Sequence, residues 1–178
     1  MRLVLFLLFG LLGTLPNLAH AEPNLVTRIV LGGKVEMLLP SSFEPMGEEM
    51  LRLKYPSRRA PTEVYTNETG SVNVALNHTK DRLKAEQIPP FHKSLEDIFR
   101  RLYPSARWYR SELTQINGRQ FVLLGVRTPA IDTEVRNIMI GTSVDDRFLL
   151  ISFNVVQELE DEWLAIGNKI IQSVKIIQ

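Results

Sequence analysis

The chain has 178 residues, 21 of them basic and 20 acidic, and no cysteine. Charge this evenly balanced offers no electrostatic footprint for nucleic acid and none for a strongly acidic substrate. Without cysteine there is no disulfide, thiolate nucleophile, thiolate metal site or lipid-bearing amino-terminal cysteine.

The first residues read as an export signal. Met1-Arg2 precedes an almost wholly apolar run from Leu3 to Leu12, and a more polar stretch ends in Ala19-His20-Ala21. Those are the three parts of a secretory leader, with cleavage expected between Ala21 and Glu22. An uncleaved anchor is the alternative reading. Gly10, Gly13 and Pro16 interrupt the run, which falls short of the ~20 residues that span a bilayer, so no stable membrane insertion is expected after cleavage. Loss of the leader removes Arg2 alone, leaving 21 − 1 = 20 basic against 20 acidic residues. The expected product is soluble and periplasmic, a single domain over 22–178 with enough residues for one core.

Leu25 to Leu31 and Val35 to Leu39 read as two strands around Gly32-Gly33. Met46, Met50 and Leu53 then suggest a short amphipathic helix. The methionines have no histidine or cysteine beside them, which favours gap-filling core over a soft-metal site. Tyr55 to Thr62 is a loop by composition, with Pro56 and Pro61 removing backbone donors. Arg58 and Arg59 in that loop, flanked by Tyr55 and Tyr65, form a candidate partner contact. The plainer reading is a solvated basic loop. Val64 to Thr66 and Ser71 to Thr79 form a hairpin in which Val72, Val74 and Leu76 alternate with Asn73, Ala75 and Asn77.

Pro89-Pro90 opens a helix with Phe91, Leu95, Ile98, Phe99 and Leu102 on one side. Beyond it, Arg107 and Trp108 begin a strand that leads to Asn117-Gly118, a pair suited to a type I′ turn. They are a second candidate contact, although a tryptophan more often anchors core. The run Phe121 to Val126 is apolar at every position except Gly125, so a strand there buries both faces and belongs near the sheet centre. A strand from Thr133 to Val144 turns at Asp145-Asp146 into one from Arg147 to Val156. In the last, Leu149, Ile151, Phe153 and Val155 share a face, while on the other Phe148 and Leu150 give way to Ser152 and Asn154. A helix starting near Glu158 carries the stripe Leu159, Trp163, Ile166, Ile170 and Val174. Its acidic first turns complement the helix dipole, and a metal or general-base site there is the less favoured reading.

No catalytic pattern emerges. His78 and His92 lie on different expected elements without ligand spacing. Gly141 to Asp145 lacks the second glycine and following helix of a nucleophile elbow. No catalytic residue, metal or cofactor is therefore expected.

The strand pair and short helix, Leu39-Pro40, Pro61 to Tyr65, Asn117-Gly118-Arg119, Ser152-Phe153-Asn154 and Trp163 before a terminal helix together resemble the DcrB/PsbP-like family, over Leu25 to Val174. The resemblance implies an α+β fold, an α/β/α sandwich with a central antiparallel sheet flanked by helices. It also implies a largely non-enzymatic company: photosystem extrinsic subunits, bacterial envelope proteins and chaperone-like adaptors. The adaptors are cytoplasmic, whereas this chain carries a leader. The leading expectation is a non-enzymatic periplasmic module that binds another protein, as an immunity factor for a secreted toxin or an accessory subunit of an envelope complex. Its contact residues would be Arg58, Arg59, Tyr65, Arg107 and Trp108. A carrier of a small molecule or lipid between sheet and helix is the alternative, and an enzyme of unknown class is third.

Overall fold

The computed structural model describes residues 22–56, 60–130 and 132–177. Two antiparallel strands come first, β1 (Leu25–Val30) and β2 (Val35–Pro40). Between them Leu31, Gly32 and Gly33 all adopt positive φ. Glycine takes that conformation without a Cβ penalty. Leu31 is held there by burial of its side chain and by its N–H, which donates to Glu63 Oε2 at 2.9 Å.

The two-residue strand β3 (Glu44–Pro45) and the helix α1 (Glu48–Lys54) follow, then the hairpin of β4 (Glu63–Thr66) and β5 (Val72–Arg82). Helix α2 (Ile88–Leu102) starts with two prolines in its first turn, where missing N–H groups cost nothing. It carries the chain to β6 (Arg107–Ile116), which opens a meander with β7 (Arg119–Pro129), β8 (Glu134–Val144) and β9 (Arg147–Val156). Asn117-Gly118 and Asp145-Asp146 make its first and last turns, all four residues at positive φ as the sequence requires. Helix α3 (Glu160–Ser173) and β10 (Lys175–Ile176) complete the chain.

The main sheet has the order β3-β4-β5-β9-β8-β7-β6, and β1, β2 and β10 form a separate small sheet centred on β2. Every strand pair is antiparallel. Alternation along the strands gives the main sheet two inner faces. On one, Val74, Leu76, Ile140, Ile151 and Phe153 pack with α3 and with Val35, Met37 and Leu39 of the small sheet. On the other, Val122, Leu124, Met139 and Phe148 lie under α2, while Val64 and Ala75 lie under α1. Helices cover both faces, so the observed architecture is the expected α+β sandwich, with a three-stranded sheet beside α3. The interior on the α3 side is filled: a Cβ on Gly167 would overlap the buried ring of Phe153.

Four details differ from the expectation. β7 is buried on both faces yet lies next to the edge strand β6, because α2 above it and the core below exclude water without further strands; β9 holds the centre. Leu53 and Leu102 leave the apolar stripes of their helices and stand 75% and 65% exposed. Met50 and Leu51 pack α1 instead, and α2 buries Ile88 and Leu95. The terminal helix is preceded by a 3-10 turn over Gln157–Leu159 and begins at Glu160. Last, β10 adds a strand after α3. The helix end is fixed by Ser173, whose hydroxyl donates to Ile170 O at 2.6 Å and accepts from Leu38 N at 2.8 Å.

Candidate functional site

The sheet face beneath α1 and α2 changes character part-way along its strands. Under α2 it is apolar. Further along, Leu150 gives way to Ser152 and Asn154 on β9, Ala75 to Asn73 on β5, and Met139 to Asn137 on β8. The strand registers bring the three asparagines into one cross-strand row, Asn73 beside Asn154 beside Asn137, continued by Val126 and Trp108. At about 4.8 Å per strand the row spans roughly 19 Å.

Asn73 is the fixed point, only 7% exposed. Its Oδ1 accepts from the Tyr55 hydroxyl at 3.2 Å and from Asn154 Nδ2 at 2.8 Å, and its Nδ2 donates to Gly70 O at 3.5 Å. Asn154 Nδ2 also reaches Ser152 Oγ at 3.3 Å. Asn137 Nδ2 donates to Val135 O at 2.8 Å and Thr128 Oγ1 at 3.1 Å. Buried amides are tolerated only when paired in this way. Asn154, Asn137 and Ser152 are half-buried, so the row remains reachable from outside.

The walls come from the ends of two helices. Tyr55 caps α1 and Tyr103 caps α2. Burial, with Tyr103 close by, pushes the Tyr55 hydroxyl up to about 12, so it stays a neutral donor to Asn73. Tyr103 stacks on Phe99 with centroids 6.1 Å apart and is 40% exposed. The two leucines that left their stripes, Leu53 and Leu102, immediately precede this region on the last turns of the same helices. The amide floor is thus joined to the end of α1 through Tyr55, and the last turns of α1 and α2 carry exposed aliphatic side chains.

The residues singled out from the sequence fall in different places. Trp108 ends the row, half-buried against the α2-side core, with the Arg100 guanidinium 4.2 Å from its ring centroid. Arg107 pairs with Arg127 and Tyr65 with Val74, which puts both on the opposite face of the sheet. Tyr65 donates to Glu63 Oε2 at 3.1 Å. Tyr65 and Trp108 are five strand steps apart, about 24 Å, and are not brought together. Arg58 and Arg59 lie outside the described residues, three and four positions after Tyr55. Ala21 is also outside them; Glu22 is described and pairs with Lys169 at 2.9 Å.

The ionisable groups with catalytic potential form tethers. Ser111 Oγ donates to Glu96 at 2.6 Å and accepts from His92 Nε2 at 2.8 Å. A serine nucleophile needs the imidazole between itself and the carboxylate. Here the serine is the middle member and its proton faces Glu96, which Ser111 and Arg100 hold below the usual carboxylate range. The chain fastens α2 to β6. His78 lies apart on β5, its Nδ1 accepting from Arg147 and its Nε2 donating to Val144 O, both at 2.9 Å. Among the described residues no three His, Asp or Glu side chains converge as a metal site would need.

The described surface has shallow recesses. One of about 440 Å³ lies among Ala85, Arg119, Ser143, Asp145 and Asp146, and one of about 200 Å³ lies between α1 and β4, against Met46, Leu51 and Val64. The first is lined by polar and charged groups, and the second is smaller than the roughly 300 Å³ at which ligand pockets begin.

No family model and no curated protein matches this chain. Solved structures do. Cyanobacterial PsbP (CyanoP) from Synechocystis sp. PCC 6803 superposes with a TM-score of 0.61 at 12% identity, over 94% of this chain and all of the other. The chain has a PsbP-like fold. LpqN of Mycobacterium tuberculosis, involved in cell envelope biogenesis, matches with a TM-score of 0.52 at 12% identity, over 81% of this chain and 83% of its own. A Bacteroides thetaiotaomicron VPI-5482 protein matches with a TM-score of 0.54 at 11% identity, over 85% of this chain and 48% of its own. At these identities the likeness is one of fold. In this PsbP-like chain, as described, no helix is long and apolar enough to cross a membrane.

The amide row could be read only in part from sequence. Asn73, Ser152 and Asn154 stand out as polar residues in otherwise apolar strands. Asn137 does not, because nothing in its own strand says which partner register it will meet.

Proposed function

We propose that this PsbP-like chain is an exported, non-enzymatic protein-interaction module of the bacterial envelope, which docks its partner on the amide row and the rim of helix ends around it. The observation that carries this reading is the exposure of Leu53, Leu102 and Tyr103 at the ends of α1 and α2, together with three aligned asparagines of which Asn73 is buried and Asn154 and Asn137 are half-buried. Large exposed apolar side chains cost solubility unless something covers them. Amides beneath them supply both donors and acceptors to a partner's backbone, and protein interfaces combine an apolar, aromatic anchor with satisfied polar groups in this way.

An envelope setting is supported by the leader-like first residues and by the envelope role named for LpqN. Within that setting an immunity factor for a secreted toxin and an accessory subunit of an envelope complex are the two forms the module would take. The carrier reading gains less support, since the α3 side is filled by Phe153 against Gly167 and the recess at α1 is small.

The test is co-purification from envelope extract with the wild-type chain and with Leu53→Ser/Leu102→Ser. Anchor residues of an interface are worth about 2 kcal/mol each or more, so the double variant should lose its specific partner by well over tenfold while its melting temperature is unchanged. Equal recovery of the same partner by both chains would refute the proposed face.

A further inference from the structure

The two edges of the main sheet are treated differently. At one, β3 is two residues long and contains Pro45, a short and donor-poor strand of the kind that discourages pairing. At the other, β6 runs for ten residues with β7 as its only neighbour in the sheet among the described residues. A row of outward backbone N–H and C=O groups is a template for another strand. β6 carries a bulge at Tyr109, between Trp108 and Arg110, and a regular stretch follows from Arg110 to Ile116.

The charges on that stretch select a partner. Arg110 and Glu112 point to the same face and pair with each other, Arg110 Nε donating to Glu112 Oε1 at 3.0 Å, and each side chain is 48% exposed. In an antiparallel pairing of β6 with a second β6, related by a two-fold axis at Ser111, Arg110 of each copy lies opposite Glu112 of the other. Four charges then alternate in sign around the axis. Moving the axis by one residue sets Arg110 against Arg110 or Glu112 against Glu112, and like charges directly opposite are destabilising. The edge is therefore self-complementary in one register and repulsive in the two beside it.

We infer that the free edge of β6 pairs with β6 of a second copy of this chain, antiparallel and centred on Ser111, in a two-fold dimer whose regularly paired segment is Arg110–Glu112, with Leu113 of each copy opposite the bulge at Tyr109 of the other. This surface is distinct from the helix-end rim at Leu53 and Leu102, so either can fail without the other.

The absence of native cysteine makes the register directly measurable. In full-length mature chain carrying Ser111→Cys, the two thiols meet on the axis and mild oxidation should convert most of the protein to a disulfide-linked dimer. Leu113→Cys, whose two copies sit four residues apart along the strands, should remain monomeric under the same treatment. Sedimentation of the cysteine-free chain should give twice the chain mass at high concentration. Arg110→Glu should return it to the monomer mass, and Arg110→Glu/Glu112→Arg, which restores the alternation, should recover the dimer. A chain that sediments as a monomer at the highest attainable concentration would overturn the inference. So would a dimer indifferent to Arg110→Glu, or cross-linking through Leu113→Cys but not Ser111→Cys.

Discussion

Asn73 shows how one polar side chain in a sheet can organise its surroundings. Its carbonyl oxygen takes hydrogen bonds from Tyr55 and Asn154 at once, so its removal leaves two donors without an acceptor. Asn73→Ala should cost about 1 to 3 kcal/mol in denaturant unfolding, the price of stranding buried polar groups. Tyr55→Phe should cost less, about 1 kcal/mol, since Asn154 still serves the Asn73 carbonyl. Tyr55 also predicts a pH dependence. Its hydroxyl sits at about 12 in the folded chain against 10.0 unfolded, so the neutral form is favoured by folding. The associated stability is present below pH 10 and lost as pH rises toward 12. Two units correspond to about 2 to 3 kcal/mol. The wild type should therefore lose this amount relative to Tyr55→Phe over that window, so that an advantage of about 1 kcal/mol below pH 10 becomes a deficit of about 1 to 2 kcal/mol near pH 12. A difference that stays constant would mean the hydroxyl is not buried as described.

Among the elements, α3 is seated by fit and by charge. Gly167 lets the helix rest directly on Phe153. Gly167→Ala would gain about 1 kcal/mol of helix propensity on an exposed helix. Here the added methyl overlaps a fully buried ring, so the expected outcome is a net loss of about 1 to 3 kcal/mol, visible as a lowered melting temperature. At the start of the same helix Glu160 pairs with Arg127 and lies 3.5 Å from Arg136, whose guanidinium stacks 3.7 Å from the Tyr109 ring centroid. Arg136 is 7% exposed, and its Nε and Nη1 are buried without a hydrogen-bond partner. Glu160→Ala would leave the buried Arg136 without a carboxylate and Arg127 with only the longer contact to Glu134 at 3.5 Å, and should destabilise by about 3 to 5 kcal/mol, the range for breaking a buried ion pair. The acidic cluster read from the sequence as a dipole complement is thus, at Glu160, also an anchor to β7 and β8.

The same elements show which parts of the fold were written locally. The turns at Asn117-Gly118 and Asp145-Asp146, the alternation of β5 and β9 and the stripe of α3 follow from periods of two and 3.6 in the residues themselves. Three features depend on partners distant in the chain and left no such mark. β7 looks central because α2 covers one of its faces and the main core the other. Leu53 and Leu102 complete apolar stripes on paper but stand exposed on the last turns of their helices. The alignment of Asn73, Asn154 and Asn137 exists only once β5, β9 and β8 have found their registers.

On the scale of the whole molecule, the structure is a sheet closed on both faces, with its unusual features gathered at one end of one side. On the proposed function, the filled core beneath α3 serves stability and the polar floor on the side of α1 and α2 serves contact. Ile29 on β1, 64% exposed on the small sheet across the molecule, offers an internal control of similar apolar character. The most direct test of the proposed contact face is site-specific photo-cross-linking in growing cells, with the reactive residue placed in turn at Leu53, Leu102 and Ile29. One discrete adduct of the same mass from Leu53 and Leu102, and none of that mass from Ile29, is the predicted result. An adduct from Ile29 alone, or from all three positions alike, would contradict it.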